Sequence, residues 1–168
     1  KKRLRRRRRL RLAAASLILL AGLALISYPF VSDWLNQRAQ DAVSNTQQQT
    51  VAALKPADLS AEKAKAEAYN AHLRDGSSRV VDPFDQDDAS PGNDEYESVL
   101  NVAGDGVMAE LIIPSIRVDL PIYHYTTEEP LSHGVGHVVN TSVPIGGDST
   151  HSVLAGHTGL PTARLFDR

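Results

Sequence analysis

The chain has no cysteine among its 168 residues, which excludes a disulfide framework, a zinc–thiolate site and a cysteine nucleophile within it. Acidic residues are missing from residues 1–11, where nine Lys/Arg crowd together. The other nine bases stand against twenty acids, so residues 12–168 carry a net −11. That split excludes a uniformly basic nucleic-acid binder and predicts a basic anchor end on an acidic soluble portion. Charge of either sign is absent from residues 12–30, a run rich in Leu, Ala and Ile. At about 1.5 Å per residue, nineteen residues nearly span a hydrocarbon core of about 30 Å. No A-x-A-like site follows around residues 28–33, and the run exceeds the usual apolar core of a signal peptide, about 7–15 residues. An uncleaved signal anchor is therefore expected in place of a cleaved signal or a twin-arginine signal. The positive charge before it predicts a cytoplasmic N-terminus and an extracytoplasmic remainder. Trp34 fits an interfacial aromatic just outside the span.

Residues 33–54 read as a helix with Ser32 or Asp33 as N-cap. Gln47, Gln48 and Gln49 make its middle too polar for a core, so it is expected to stand off the membrane as a stalk. Lys55-Pro56 ends it. A second helix is expected from Asp58 or Ser60 to Arg74, with Gly76 as its stop. Leu59, Ala66, Tyr69 and Leu73 form a narrow apolar stripe on it. Residues 77–95 are a long polar stretch whose acids at 82, 85, 87 and 88 lack the spacing of an EF-hand calcium loop. Residues 96–100 suggest a helical turn. From Gly106 the character changes to strands, at 107–113 and 116–122, with Pro114 and Pro121 marking ends, bulges or edges. Residues 128–130 read as a turn, and the short strands and Gly/Pro turns of 96–168 predict a mostly β barrel or sandwich.

The rest of the chain is organised around His151-Ser152-Val153-Leu154-Ala155-Gly156-His157-Thr158-Gly159-Leu160-Pro161. Residues 152–155 read as a short strand, Gly156 breaks it, and Thr158, Gly159 and Pro161 supply turn chemistry. A histidine delivered from a strand end into such a turn suits acid–base or ion-pairing work, or is a surface residue beside a turn. Three rival arrangements are present in the sequence. His133 and His137 are four apart, as metal ligands on a helix face would be, but Gly134 and Gly136 disfavour that helix, and no metal is expected. Gly147-Asp148-Ser149 with His157 as base lacks the Gly-Gly that follows the serine of chymotrypsin-like proteases. Asn140-Thr141-Ser142 is a glycosylation sequon of a kind common by chance.

The text from Gly136-His137 through Gly146-Gly147-Asp148 to His157-Thr158-Gly159-Leu160-Pro161, with Leu165-Phe166 after it, closely resembles the class C, pilin-polymerising sortases. Gly104–Leu111, Ile113-Pro114-Ser115-Ile116, Leu120-Pro121-Ile122-Tyr123 and Gly134-Val135-Gly136-His137 extend the match over about residues 82–168. Asp82-Pro83-Phe84 matches the Asp-Pro-aromatic lid motif of that family, with Phe84 capping the groove and Asp82 pairing with a cationic site residue. The resemblance implies a closed sortase β-barrel, incomplete in this chain, preceded by a transmembrane helix, two N-terminal helices and a lid loop. The implied divisions are a basic tail (1–11), anchor (12–30), helical stalk (31–76), lid loop (77–95) and barrel portion (96–168). It also implies a cysteine transpeptidase on the Gram-positive cell surface, with no cofactor. Its partners are pilin subunits with LPxTG-like sorting signals, joined through a lysine amine during pilus assembly. His157 is the implied catalytic histidine. Cysteine and arginine lie C-terminal to the histidine in that family, so the chain is expected to be an N-terminal portion that is inactive alone; Arg164 and Arg168 fall too early to be the arginine. The alternative is a non-enzymatic, membrane-anchored surface assembly or adhesion factor with a small β domain.

Overall fold

The computed structural model describes residues 2–76, 93–160, 163, 165 and 166. Asp82, Pro83 and Phe84 lie outside the described residues, as do Pro161, Arg164 and Arg168. The first element is one helix, α1 (Lys2–Ala53), of 52 residues, about 78 Å long at 1.5 Å per residue. The expected break and cap at Ser32 or Asp33 do not occur. From residue 30 to residue 53 there is no proline or glycine to interrupt the ladder, so the apolar run and the polar run after it share one helix axis. Pro29 is carried inside the helix. Among the described residues α1 is the one helix long and apolar enough to cross a membrane, with a window of mean hydropathy 2.1 that is nowhere buried.

The glutamine-rich part of α1 does not stand free as a stalk. Gln40, Ser44 and Gln47 are only 4%, 7% and 6% exposed. Their spacing of four and three puts them on one face, and α1 packs against the first two strands. The Gln47 amide donates to the Val107 carbonyl at 3.4 Å, and the Gln48 amide reaches both Glu110 carboxylate oxygens at 3.0 and 2.9 Å. An amide side chain can dock on a strand because it satisfies backbone polar groups that an apolar one would strand.

Helix α2 (Pro56–Asp75) starts two residues before the expected position, with Pro56 in its first turn, where the missing N–H is no loss. Gly76 ends it, its N–H bonding the His72 carbonyl at 2.9 Å. Ala66 and Tyr69 enter the core and Leu73 packs against it. Leu59, expected in that stripe, is 41% exposed; it lies in the first turn, ahead of the part that meets the sheet. A single turn, α3 (Asp94–Glu97), follows, capped by the Asn93 side chain, which accepts from the Tyr96 N–H.

The sheet is built from β1 (Val107–Ile113), β2 (Val118–His124), β3 (Val135–His137) and β4 (Leu154–Ala155), in spatial order β1-β2-β3-β4. The β1/β2 pair is antiparallel, with an irregularity between Val107 and Ala109; β2/β3 is parallel and β3/β4 antiparallel. The expectation of a mostly β chain is corrected. Helices hold most of the described residues, and the sheet is a small, mixed, open one. Strand β2 runs two residues later than expected because Pro114–Ile116 form a 3-10 turn closed by Arg117 in the left-handed region, φ 53°. Pro121 sits inside β2, where only β1 pairs it; β3 joins one residue later at Ile122. Parallel β2 and β3 need a crossover. Residues 128–130, expected as a turn, open instead the helix that supplies it, α4 (Glu128–His133), with Pro130 in the first turn.

The core unites α2, α3 and the strands through Ala66, Tyr69, Tyr96, Val99, Val118, Leu120, Val135, Val143 and Leu165. Each fully buried large apolar side chain is worth about 1.5–3 kcal/mol. Gly136 lets β3 approach the residues after β2: a Cβ there would lie 2.3 Å from the Tyr125 carbonyl oxygen and 3.0 Å from Thr126 Cα. Because both neighbours are backbone, Gly136→Ala should destabilise the fold by about 1–3 kcal/mol, read as a lowered urea midpoint by circular dichroism in detergent. An unchanged midpoint would show that β3 is free to shift.

Candidate active site

His157 leaves the sheet two residues beyond β4, and its side chain is exposed. The strand is shorter than the expected 152–155, because the pairing before it is carried by side chains and single bonds. Gly136 pairs with Ala155 and His137 with Leu154, and the Val138 N–H bonds the Val153 carbonyl at 3.0 Å. Further back the Thr141 hydroxyl oxygen accepts from the Val153 N–H at 3.2 Å. The Ser142 hydroxyl accepts from the His151 N–H at 3.1 Å, and the Ser142 N–H returns a bond to the His151 carbonyl at 3.0 Å. On the other side of His157, a Cβ on Gly156 would lie 2.3 Å from the Phe166 ring. Glycine at 156 therefore gives Phe166 its seat, with Leu165 and Ala163 buried beside it.

The loop between β3 and β4 is tied to α2. Asn70 accepts from the Val143 N–H at 2.8 Å and donates to the Val143 carbonyl at 3.4 Å. Arg74 donates to the Asp148 carbonyl at 3.4 Å.

His137 is 0% exposed. The Tyr96 hydroxyl lies 2.8 Å from His137 Nδ1, and His137 Nε2 lies 2.9 Å from the Ser142 carbonyl. A carbonyl can only accept, so Nε2 carries the proton and Nδ1 accepts from Tyr96. Burial pushes the His137 imidazole down to about 4 and outweighs the opposing bond to Ser142. The Tyr96 and Tyr69 phenols are both pushed up by burial, Tyr69 to about 12. His133 is exposed on α4, with its Nδ1 near the Glu129 carbonyl and the Ser132 hydroxyl. The two histidines four residues apart therefore lie on different elements, one in the core and one at the surface, and share no ligand face. Ser149 occupies a left-handed turn, φ 57°, ahead of β4, whereas His157 follows that strand.

A cavity of about 470 Å³ opens elsewhere, at the end of β2, lined by Glu97, Asp105, Tyr123, His124 and Glu129 among others but not by His157. Burial raises the Tyr123 phenol there, with the charges of Asp105 and Glu129 adding to it. Sequence reasoning singled out none of Asn70, Tyr96, Thr141 or Ser142 as part of this site. Their partners are up to 73 residues away along the chain, and no local spacing encodes such pairings.

Residues 111–168 match the model of the sortase domain. Sortase C-1 of Streptococcus pneumoniae is 39% identical over 74% of this chain and 62% of its own, with a TM-score of 0.65. Sortase C-1 of Actinomyces oris is 47% identical over 67% of this chain and 61% of its own, with a TM-score of 0.56. The chain belongs to the sortases. Sortase C1 of GBS pilus island 1 is likewise 37% identical over 76% of this chain and 58% of its own, at a TM-score of 0.65, so the likeness within the sortases is to class C. The chain spans about three fifths of the length of these solved sortases. No curated protein sequence matches it significantly.

The buried His137 gives this sortase chain a defined acid response. Its folded value lies below the ordinary 6.5, so the fold favours the neutral ring. The resulting stability is complete above pH 6.5, declines as pH falls toward 4 and is gone below it. Comparing urea midpoints of the chain and of His137→Phe between pH 7 and 4 should show a loss of roughly 3 kcal/mol that the variant lacks. Parallel curves would place His137 in contact with water.

Proposed function

We propose that this chain carries the histidine of a class C sortase, a cysteine transpeptidase that joins pilin subunits at the cell surface. The observation that carries the reading is an exposed His157, two residues beyond β4 and followed by Thr158-Gly159-Leu160, in a chain 39% identical to a sortase C-1 at TM-score 0.65. A pilus-island sortase among its structural neighbours supports the pilin substrate.

In this reading a cysteine thiolate attacks the Thr–Gly carbonyl of an LPxTG-like signal. His157 donates its proton to the departing glycine amine, and a thioester remains. An arginine stabilises the oxyanion. A pilin lysine amine then attacks the thioester, passes a proton to His157, and releases the thiolate with a new amide bond. This chain has no cysteine, so the thiolate belongs to the whole enzyme. The exposed apolar run of residues 12–30 in α1, preceded by nine bases in residues 1–11, would hold the enzyme in the membrane, N-terminus inside. Asp82-Pro83-Phe84 would close over the groove as a lid, Phe84 as an apolar cap and Asp82 as a partner for a cation.

In the full-length enzyme, His157→Gln should cut turnover of an LPxTG peptide by about 10²–10⁴-fold with the melting temperature unchanged. Turnover within twofold would remove the histidine from the chemistry and bring forward the non-enzymatic surface assembly or adhesion factor. The double change Asp82→Ala and Phe84→Ala should raise the initial rate on a short peptide several-fold; an unchanged rate would argue against a lid.

A further inference from the structure

We propose that Tyr96 and His137 form a buried positioning pair that fixes the strand presenting His157, by way of Thr141 and Ser142. The proposal rests on the catalytic role assigned to His157 above. The bonds take their direction from their partners, with the His137 carbonyl oxygen, at 3.2 Å, a second acceptor near the Tyr96 hydroxyl. The Tyr96 hydroxyl donates to His137 Nδ1 at 2.8 Å, and Nε2–H of the same ring donates to the Ser142 carbonyl at 2.9 Å. The Thr141 hydroxyl spends its one proton on the Val138 carbonyl at 2.7 Å. Its lone pairs therefore face His137 Nε2 at 3.2 Å and the Val153 N–H at 3.2 Å. Ser142 grips His151 through both its hydroxyl and its own N–H. His137 also pairs with Leu154 directly in the ladder.

The pair is held at both ends. The Tyr96 ring lies 5.9 Å from Tyr69 of α2 and meets His124 and Tyr125 edge-on at 4.9 and 5.1 Å. It lies 5.7 Å from the His137 ring itself, near parallel. Such a ring cannot drift without disturbing four neighbouring rings. A two-residue strand is a weak mount for a reacting group, and a proton donor displaced by an ångström loses much of its rate. The bonded chain from Tyr96 to residues 151–153 supplies the rigidity that so short a β4 lacks.

Tyr96→Phe keeps the ring and removes the donor. In the full-length enzyme kcat should fall about tenfold with KM within twofold, and amide exchange at Val153, Leu154 and Ala155 should accelerate. Thr141→Val cuts the same chain at its far end and should give the same split, which guards against a folding defect at Tyr96. Faster exchange with kcat unchanged in both variants would make the pair purely structural and overturn the proposal, as would no change in either quantity. If His157→Gln itself leaves turnover intact, the sortase role of His157 fails. The exchange result then still decides whether the pair holds β4.

Discussion

The packing around the Tyr96 ring is the contact on which the rest of the molecule depends. Helix α3 is a single turn, far too short to persist in water by itself. It holds its place because Tyr96 is fully buried among Tyr69 of α2, His124 and Tyr125 at the end of β2, and His137 of β3. Both ring nitrogens of His124 lie against backbone carbonyls, Gly106 at 3.0 Å and Val99 at 2.9 Å, which draws the start of β1 to the same point. Lys65 of α2 reaches the Ser98 carbonyl just beyond. Four elements therefore meet at one aromatic side chain, with the start of β1 tied in through His124, and the open sheet has a fixed helical partner on which to pack.

A second constraint is the continuity of α1. The apolar portion and the docked portion belong to one helix, so the sheet sits at a set distance and rotation from whatever surrounds residues 12–30. Gln47 bonds the Val107 carbonyl and Gln48 the Glu110 carboxylate, so polar contacts help fix that rotation, although Gln40 Nε2 and Gln47 Oε1 are buried without a hydrogen-bond partner. Such an interface tolerates exposure when the sheet is absent, because amides remain soluble, yet it specifies register through hydrogen bonds. Trp34 and Arg38, stacked at 4.2 Å on α1, extend the same economy toward the apolar run.

Much of the local order was legible in the residues. Strand β1 was read with its observed bounds, and the stop of α2 at Gly76 followed from a glycine after a helix-forming run. Both depend on neighbours in sequence alone. The failures share a physical cause. Helix α4 was read as a turn because Pro130 and Gly134 look like breakers, whereas proline in a first turn and glycine after a last one bound a helix. Gln47 was read as stalk because burial of an amide depends on a carbonyl 60 residues away. His137 was weighed as a metal ligand from its distance to His133, when its partner is a tyrosine 41 residues upstream. Periodicity predicts which side chains share a face; it does not predict which polar groups will find each other across the core.

The six histidines sort themselves by surroundings, and the sorting bears on chemistry. His124 and His137 are buried; His137 is bonded through both ring nitrogens, and both nitrogens of His124 face buried backbone carbonyls. Neither ring is placed to meet a substrate, and the neutral state imposed on His137 removes it from proton transfer near neutrality. His72 is set beside Glu95 at 3.3 Å, and His133 beside the Ser132 hydroxyl. His151 and His157 remain, exposed at the two ends of the short strand region. His151 is fastened by its own N–H and carbonyl to Ser142, so its backbone serves the sheet. His157 comes after Gly156, at the point where the strand releases the chain beside the Phe166 ring. Rigid backing on one side and open solvent on the other are what a proton donor to an arriving substrate requires. Of the six, His157 combines them most fully.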